Sequence, residues 1–489
     1  MIRTGKQYID GLGADREIYI GGRLVRNVTS YEPFRSVIDS YAALYDLKHD
    51  PAHRDVLTYA SGDGDERADV SFLLPQTRED VVRRGDALRL FSNTSLGMLS
   101  RSPDIMNSQL AGIADNADWF RQWGDQWAEN ITNYYRYVRD NDLFLTHALG
   151  SPQTDRSKPS HQQKDPTMNV HVVRETDAGL IVSGAKQLAT AAPLTDELLV
   201  WPNARGLVPG DEAYCVAFAI PVNSPGLKCF CREPLVTDVR NAYDHPISSR
   251  FEEIDALIVF DEVLVPWDRV FFYNNLEAAT TMRFMAQGLA LAHHSTAVQG
   301  VVRAGLTAAL AYRIAETIQI GSFPNVGEKL GRLVAFLKTI EGLVYLAEHK
   351  PAQTPNGNWV PDRDAIQAYN VVFPEFNAEA YKMIRRLSGA GMMLTPSLAD
   401  FTGPGAQIAN RFFAGADTEG WERVQVFKLA WDLVGESVGQ RVLLYDEFHS
   451  GDPMFFAANY ARGANVEEWT SLLDGVLADG ADLYRSGRG

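Results

Sequence analysis

A chain of 489 residues is too long for one compact core, so several domains or one multilayer unit are expected. Hydrophobic residues make up 45% and charged residues 22%, as in ordinary globular proteins, and the net charge of −16 argues against a nucleic-acid partner, whose phosphates it would repel. The three cysteines, Cys215, Cys229 and Cys231, are an odd and sparse count that makes no disulfide framework.

The N-terminal residues carry no apolar signal region, and no window has the length and apolarity of a membrane span. A cytoplasmic protein without a membrane partner is therefore expected. Residues 1–30 read as an arm, in which REIYIGGRLV forms a hairpin turned by Gly21-Gly22. From Pro33 to about Thr146 the apolar residues recur three and four apart, as in helices. Thr77 is a plausible N-cap, with acids in the turn that follows. The aromatic-rich stretch ADWFRQWGDQWAENITNYYRYVRDNDLFLTHAL reads as a long helical run that delivers His147 at its end.

The period then falls to two. NVHVVRETDAGLIVSGAK, DELLVWP, AYCVAFAIP and DALIVFDEVLVP read as strands, and residues 150–272 form a β domain, barrel or sandwich. Cys229-Phe230-Cys231 falls on a strand, as small buried hydrophobes. After about residue 275 long Ala-rich helical segments return, and these pack as an antiparallel bundle. In one of them Val424, Phe427, Trp431 and Val434 share a face. The layout is thus 1–150 helical, 151–275 β and 276–489 helical bundle and tail. Runs of one element type exclude a βαβ fold, and neither a G-x-G-x-x-G after a strand nor a P-loop occurs. A nucleotide cofactor would have to be held some other way.

Chemistry-bearing residues are few. Arg101 stands before a helix start at Ser102-Pro103-Asp104 and could hold a phenolate or carboxylate, although spacing alone reads it as a surface arginine paired with an acid. His147, just before a polar loop containing Gln153, Thr154, Asp155 and Arg156, is a candidate acid/base or hydrogen-bond donor; alone it reads as a satisfied core histidine. Small residues surround Thr190, which would let a flat ligand approach the backbone. His293 and His294 are adjacent on a helix and point apart, so they cannot share a metal; one could line a cavity. No metal-binding spacing is present. The segment YDEFHSGDP ends the last bundle helix, with Gly451 as cap and Pro453 as stop.

Six segments, YDLKHDPAHRDVLTY, SRSPDIMN, LTHALGSPQTDRSKP, GAKQLATAAPLTDELLV, FDEVLVPWDRVF and RVLLYDEFHSGDP, together resemble the oxygenase components of the 4-hydroxyphenylacetate 3-monooxygenase family over nearly the whole chain. The resemblance implies a mainly α fold with a central β-barrel, acyl-CoA-dehydrogenase-like, in homotetramers. It implies hydroxylation of a phenol with FADH2 and O2 through a flavin C4a-hydroperoxide. The FADH2 comes from a separate NAD(P)H-flavin reductase.

Carried over residue by residue, Arg101 and His147 would face the phenolic oxygen, joined by His293 or His294. His147, Ala148, Leu149, Gln153, Thr154, Asp155, Arg156 and Thr190 would hold FAD. So would His449, Ser450, Gly451 and Asp452, contributed by a neighbouring subunit. Pro202 and Asn203 match a substrate-proximal segment. Hydroxyphenylacetate enzymes of this kind carry Tyr where this chain has Ile105, which points to a different or bulkier phenol. A 4-hydroxybutyryl-CoA dehydratase shares the fold, but its cluster needs cysteines in the helical regions, and all three here lie in the β segment. An acyl-CoA dehydrogenase would need a carboxylate over the flavin and an acyl-CoA cleft.

Overall fold

The computed structural model describes the chain apart from residues 1, 14, 63–65, 153, 205, 239, 283–284 and 488–489, and apart from the side chains of residues 468, 479, 482 and 483. Local signals start the N-terminal helices where the sequence places them. Thr77 and Asp80 form a reciprocal capping box that opens α1 (Arg78–Thr94). α2 (Pro103–Ala114) begins after Ser102 with Pro103 in its first position, where a missing N–H costs nothing. α3 (Asp125–Asn141) follows and ends on Asp142 in the left-handed conformation.

The expected N-terminal hairpin exists as β1 (Glu17–Ile20) and β2 (Arg23–Val25), with φ of 56° and 73° at Gly21 and Gly22. It is no free arm, because β1 joins the main sheet. β3 (Thr58–Ala60) and β4 (Arg67–Asp69) make a separate ribbon. β5 (Leu145–Ala148) corrects the sequence reading: His147 lies on a strand, not at a helix end. Leu145, Thr146 and Ala148 are all buried, and a short buried run cannot be told from a helix by periodicity.

The remaining strands of the two main sheets are β6 (His171–Thr176), β7 (Gly179–Thr190), β8 (Glu197–Val200), β9 (Ala217–Pro221), β10 (Leu227–Cys231), β11 (Asp255–Pro266) and β12 (Val270–Phe272). They form an open six-stranded sheet, β2-β1-β10-β11-β7-β6, and an open four-stranded sheet, β12-β9-β8-β5. The expected closed barrel is therefore not formed by the described strands. The two sheets face each other instead, with Phe218 of β9 edge-on to Phe260 of β11 at 5.6 Å. They are tied at one margin by Thr146 Oγ1, which donates to the Thr190 carbonyl at 2.7 Å.

The helical bundle comprises α4 (Met285–Thr317), α5 (Pro324–His349), α6 (Arg363–Ser388), α7 (Gly420–Val434) and α8 (Ser437–Phe448), followed by α9 (Pro453–Gly463) and α10 (Glu467–Ser486). Pro453 does not stop the helical region: it is the first residue of α9, capped by Asp452. On α7, Val424, Phe427 and Val434 are buried as expected, but Trp431 is 37% exposed. α2 and α4 cross without room for side chains. A Cβ added to Gly112 would lie 2.5 Å from the Gly288 nitrogen, and one on Gly288 would lie 2.6 Å from the Gln109 carbonyl oxygen. This contact brings the helix that follows Arg101 against the helix that carries His293. Among the described residues no helix is long and apolar enough to cross a membrane.

Candidate active site

Arg101 is the organising group. It is 7% exposed, yet no carboxylate lies within ion-pair distance of its guanidinium among the described residues. This overturns the reading of a surface arginine paired with an acid. Its contacts are His147 Nε2 at 3.5 Å, Met106 Sδ at 3.6 Å and the Tyr445 ring at 5.8 Å, and its Nε has no partner. A buried cation left in this state is an anion-accepting group.

The backbone that presents Arg101 is fixed from a distance. Glu253 accepts from the Ser100 and Arg101 N–H groups at 2.8 and 2.6 Å, and from Tyr41 Oη at 3.0 Å. Arg441 of α8 pairs with Glu253 at 2.8 Å and with Asp255 at 2.6 Å. Asp255 also accepts from Thr190 Oγ1 at 2.7 Å. Sequence reasoning missed Glu253, Asp255 and Arg441. Their only signal was charge inside otherwise apolar stretches, FEEID and GQRVLL.

Three half-buried histidines gather near Arg101. Burial and then the Arg101 charge hold His147 down at about 3 and His293 at about 4. Burial, then His293, holds His449 at about 3. All three rings are neutral at physiological pH, so His147 is no near-neutral titrating acid/base in this arrangement. The His293 and His449 rings stand 6.3 Å apart within one chain. His294 does not join them. One residue along α4 it turns away to Glu348, 2.9 Å distant, which Arg89 also pairs at 2.6 Å.

The other predicted residues divide by place. Ala148 and Leu149 sit at the end of β5, beside the end of β8, where Ala148 O accepts from Trp201 N at 3.2 Å and Pro202 and Asn203 follow. Leu149 O accepts from Lys186 Nζ at 3.1 Å. Lys186 is itself buried, and burial pushes it down to about 7; it was not foreseen. Thr154, Asp155 and Arg156 are exposed on the following loop. That loop is folded locally by Gln163, which accepts from Thr154 Oγ1 at 2.8 Å and donates to Asp155 O at 2.8 Å. Gln153 lies outside the described residues. Ile105 is 2% exposed, one turn beyond Arg101. Ser450 bonds His449 at 3.0 Å, Gly451 turns with φ of 107°, and Asp452 caps α9.

The order of helical layer, paired sheets and bundle is an acyl-CoA-dehydrogenase-like architecture. An archaeal 4-hydroxybutyryl-CoA dehydratase structure superposes with a TM-score of 0.86 over 98% of this chain and 95% of its own, at 20% identity, a likeness of fold alone. The 4-hydroxyphenylacetate 3-hydroxylase N-terminal domain matches residues 4–272 and the C-terminal domain residues 281–478, so the chain belongs to the 4-hydroxyphenylacetate 3-hydroxylase family. It is 40% identical over 487 residues to the 4-hydroxyphenylacetate 3-monooxygenase oxygenase component of Thermus thermophilus, covering 99% of both chains. It is also similar to the solved oxygenase component of 4-hydroxyphenylacetate 3-monooxygenase complexed with FAD and 4-hydroxyphenylacetate. That TM-score is 0.93 at 37% identity, over 99% of this chain and 100% of that one.

Proposed function

We propose that this protein is the oxygenase component of a two-component flavin monooxygenase that hydroxylates a phenolic substrate. The observation that carries the reading is the buried Arg101 guanidinium, free of any carboxylate among the described residues and surrounded by neutral histidines. A phenolate oxygen satisfies such a cation, and negative charge on that oxygen makes the ring a better nucleophile. His293 flanks Arg101 as a hydrogen-bonding neighbour of the same oxygen, and His147 steadies the guanidinium through Nε2 at 3.5 Å. Ile105 adds an apolar contact where a hydroxyl would otherwise select the substrate, which favours a phenol other than 4-hydroxyphenylacetate.

The donor set also suits FAD. Lys186, a second buried cation without a carboxylate partner among the described residues, holds the Leu149 carbonyl at the end of β5. Thr190 closes the neighbouring β7, and the 449–452 turn adjoins the His293 ring. We assign FAD binding to the ends of these strands, to the Thr154–Arg156 loop and to that turn. Bound reduced FAD supplies the activated oxygen from O2. The residues of this chain orient the phenol, charge its oxygen and keep water out. A separate NAD(P)H-flavin reductase provides FADH2.

The exposed apolar stripe of α10, with Trp469, Leu472, Leu473, Val476 and Leu477 at helical spacing, supports a homotetramer in which the tail covers neighbouring copies. We place the protein in the cytoplasm. The test mixes anaerobic protein and reduced FAD with oxygenated buffer and a panel of phenols. Hydroxylated product in excess of hydrogen peroxide is expected. Peroxide as the sole product, formed at the rate of free flavin, overturns the reading.

A further inference from the structure

A neutral imidazole carries one proton, so His293 can meet a ligand as a donor or as an acceptor, depending on which nitrogen holds it. The group that decides is Asn370, a buried residue of α6, whose Nδ2 lies 3.1 Å from His293 Nδ1. An amide NH2 only donates. Nδ1 is therefore the lone-pair nitrogen, and Nε2 carries the proton. The amide orientation follows from its surroundings. Asn370 Oδ1 is buried with no partner, and the reversed amide would strand N–H donors instead, which buried sites tolerate less readily than a stranded carbonyl. His293 Nε2 makes no hydrogen bond among the described residues, and the ring is only half-buried.

The neighbouring rings follow the same pattern. Arg101 can only donate, so it occupies the His147 Nε2 lone pair. His449 donates from Nδ1 to the Asp446 carbonyl at 3.1 Å, which leaves Nε2 to accept from Ser450 Oγ at 3.0 Å. Every imidazole lone pair in the cluster is thus already taken by a protein donor. Among the described residues, Arg101 from the loop before α2 and His449 just after α8 lie beside His293, with Tyr445 stacked on His449 and His147 bonded to Arg101. His294 faces Glu348, away from the site. Among the described residues, no imidazole of this cluster presents a free lone pair to the substrate position.

We propose that Asn370 is a positioning residue. It fixes His293 as the Nε2–H tautomer, so the site offers the substrate oxygen two donors, Arg101 and His293, and captures the phenolate from solution instead of deprotonating a bound phenol. The inference rests on the phenol-binding reading of this same site. Its neutral-ring basis stands on the geometry above and agrees with the depressed His293.

The test titrates 4-nitrophenol, whose phenolate absorbs visible light, bound to the FAD-loaded protein. The bound probe should ionise at least one pH unit below the free probe, a tenfold change in its ionisation ratio. Asn370→Leu should reduce this shift in the native background, leaving the part due to Arg101, and should not change it in a His293→Phe background, because the effect acts through His293. Asn370→Ala repeats the measurement with a smaller side chain in case leucine disturbs the bundle. A bound probe that stays neutral, or a shift unmoved by both Asn370 variants, overturns the tautomer assignment. Failure of the native protein to bind the probe or any other phenol overturns the site reading and the inference with it.

Discussion

Arg441 of α8 and Glu253, two residues before β11, form a 2.8 Å ion pair, and Glu253 in turn accepts both the Ser100 and Arg101 N–H groups. The bundle thereby holds the backbone of Arg101, the buried cation assigned to the phenolic oxygen. Glu253 is fully buried, so Arg441→Met would leave its carboxylate without a cation among the described residues, while Asp255 would keep Arg232 at 3.4 Å. A loss of about 3–5 kcal/mol in unfolding free energy is expected, as for broken buried pairs, and urea denaturation measures it.

Removing the guanidinium itself should separate chemistry from cofactor binding. Arg101→Ala should lower hydroxylated product formation about 100-fold, the scale of losing one preorganised donor. FAD affinity, read by fluorescence titration, should change only a few-fold. An equal loss of both would mean that Arg101 serves the cofactor.

Acid should destabilise the site. His147, His293 and His449 are held at about 3, 4 and 3, so between these values and the ordinary value near 6.5 the unfolded chain binds protons that the folded rings refuse. Stability contributed by the neutral rings is complete above about pH 6.5 and falls as pH drops, by up to about 1.4 kcal/mol per pH unit for each ring. Asp104 and Asp446, pushed up to about 6 chiefly by burial, act in the opposite sense between their ordinary range and pH 6. The difference between native protein and His449→Asn in urea midpoints at pH 5 and pH 7 isolates the histidine contribution, which should shrink in the variant.

Lys186 predicts an alkaline effect. Burial lowers it to about 7, so above that pH the folded side chain is neutral while the unfolded one stays charged until about pH 10. The native protein should gain stability relative to Lys186→Met as pH rises from 7 to 10, and thermal midpoints across that range check the sign.

The α2–α4 crossing should tolerate no side chain. Gly112→Ala forces a Cβ toward the Gly288 backbone and should cost about 1–3 kcal/mol, with lower coupling of flavin oxidation to hydroxylation because α2 anchors the loop that presents Arg101 beside the helix of His293. Melting temperature and product-to-peroxide ratio are the readouts.

Local sequence rules determined the helix–strand–helix order, the Gly21-Gly22 hairpin, the Thr77 capping box and the helix start after Ser102, because each depends on residues within a few positions of one another. The resemblance carried by six short segments pointed to Arg101 and His147. Tertiary structure alone decided that His147 lies on a strand, that the strands of the β region form two open sheets, and that Arg101 is buried with no acid at its guanidinium among the described residues. It also decided that His293, not His294, turns toward the cluster. Those outcomes rest on contacts such as Arg101 to His147, Arg441 to Glu253 and His293 to Asn370, which join residues 46, 188 and 77 positions apart. Periodicity reports which face of an element is apolar; it carries no information about which distant element covers that face, and burial and pairing are set by that partner.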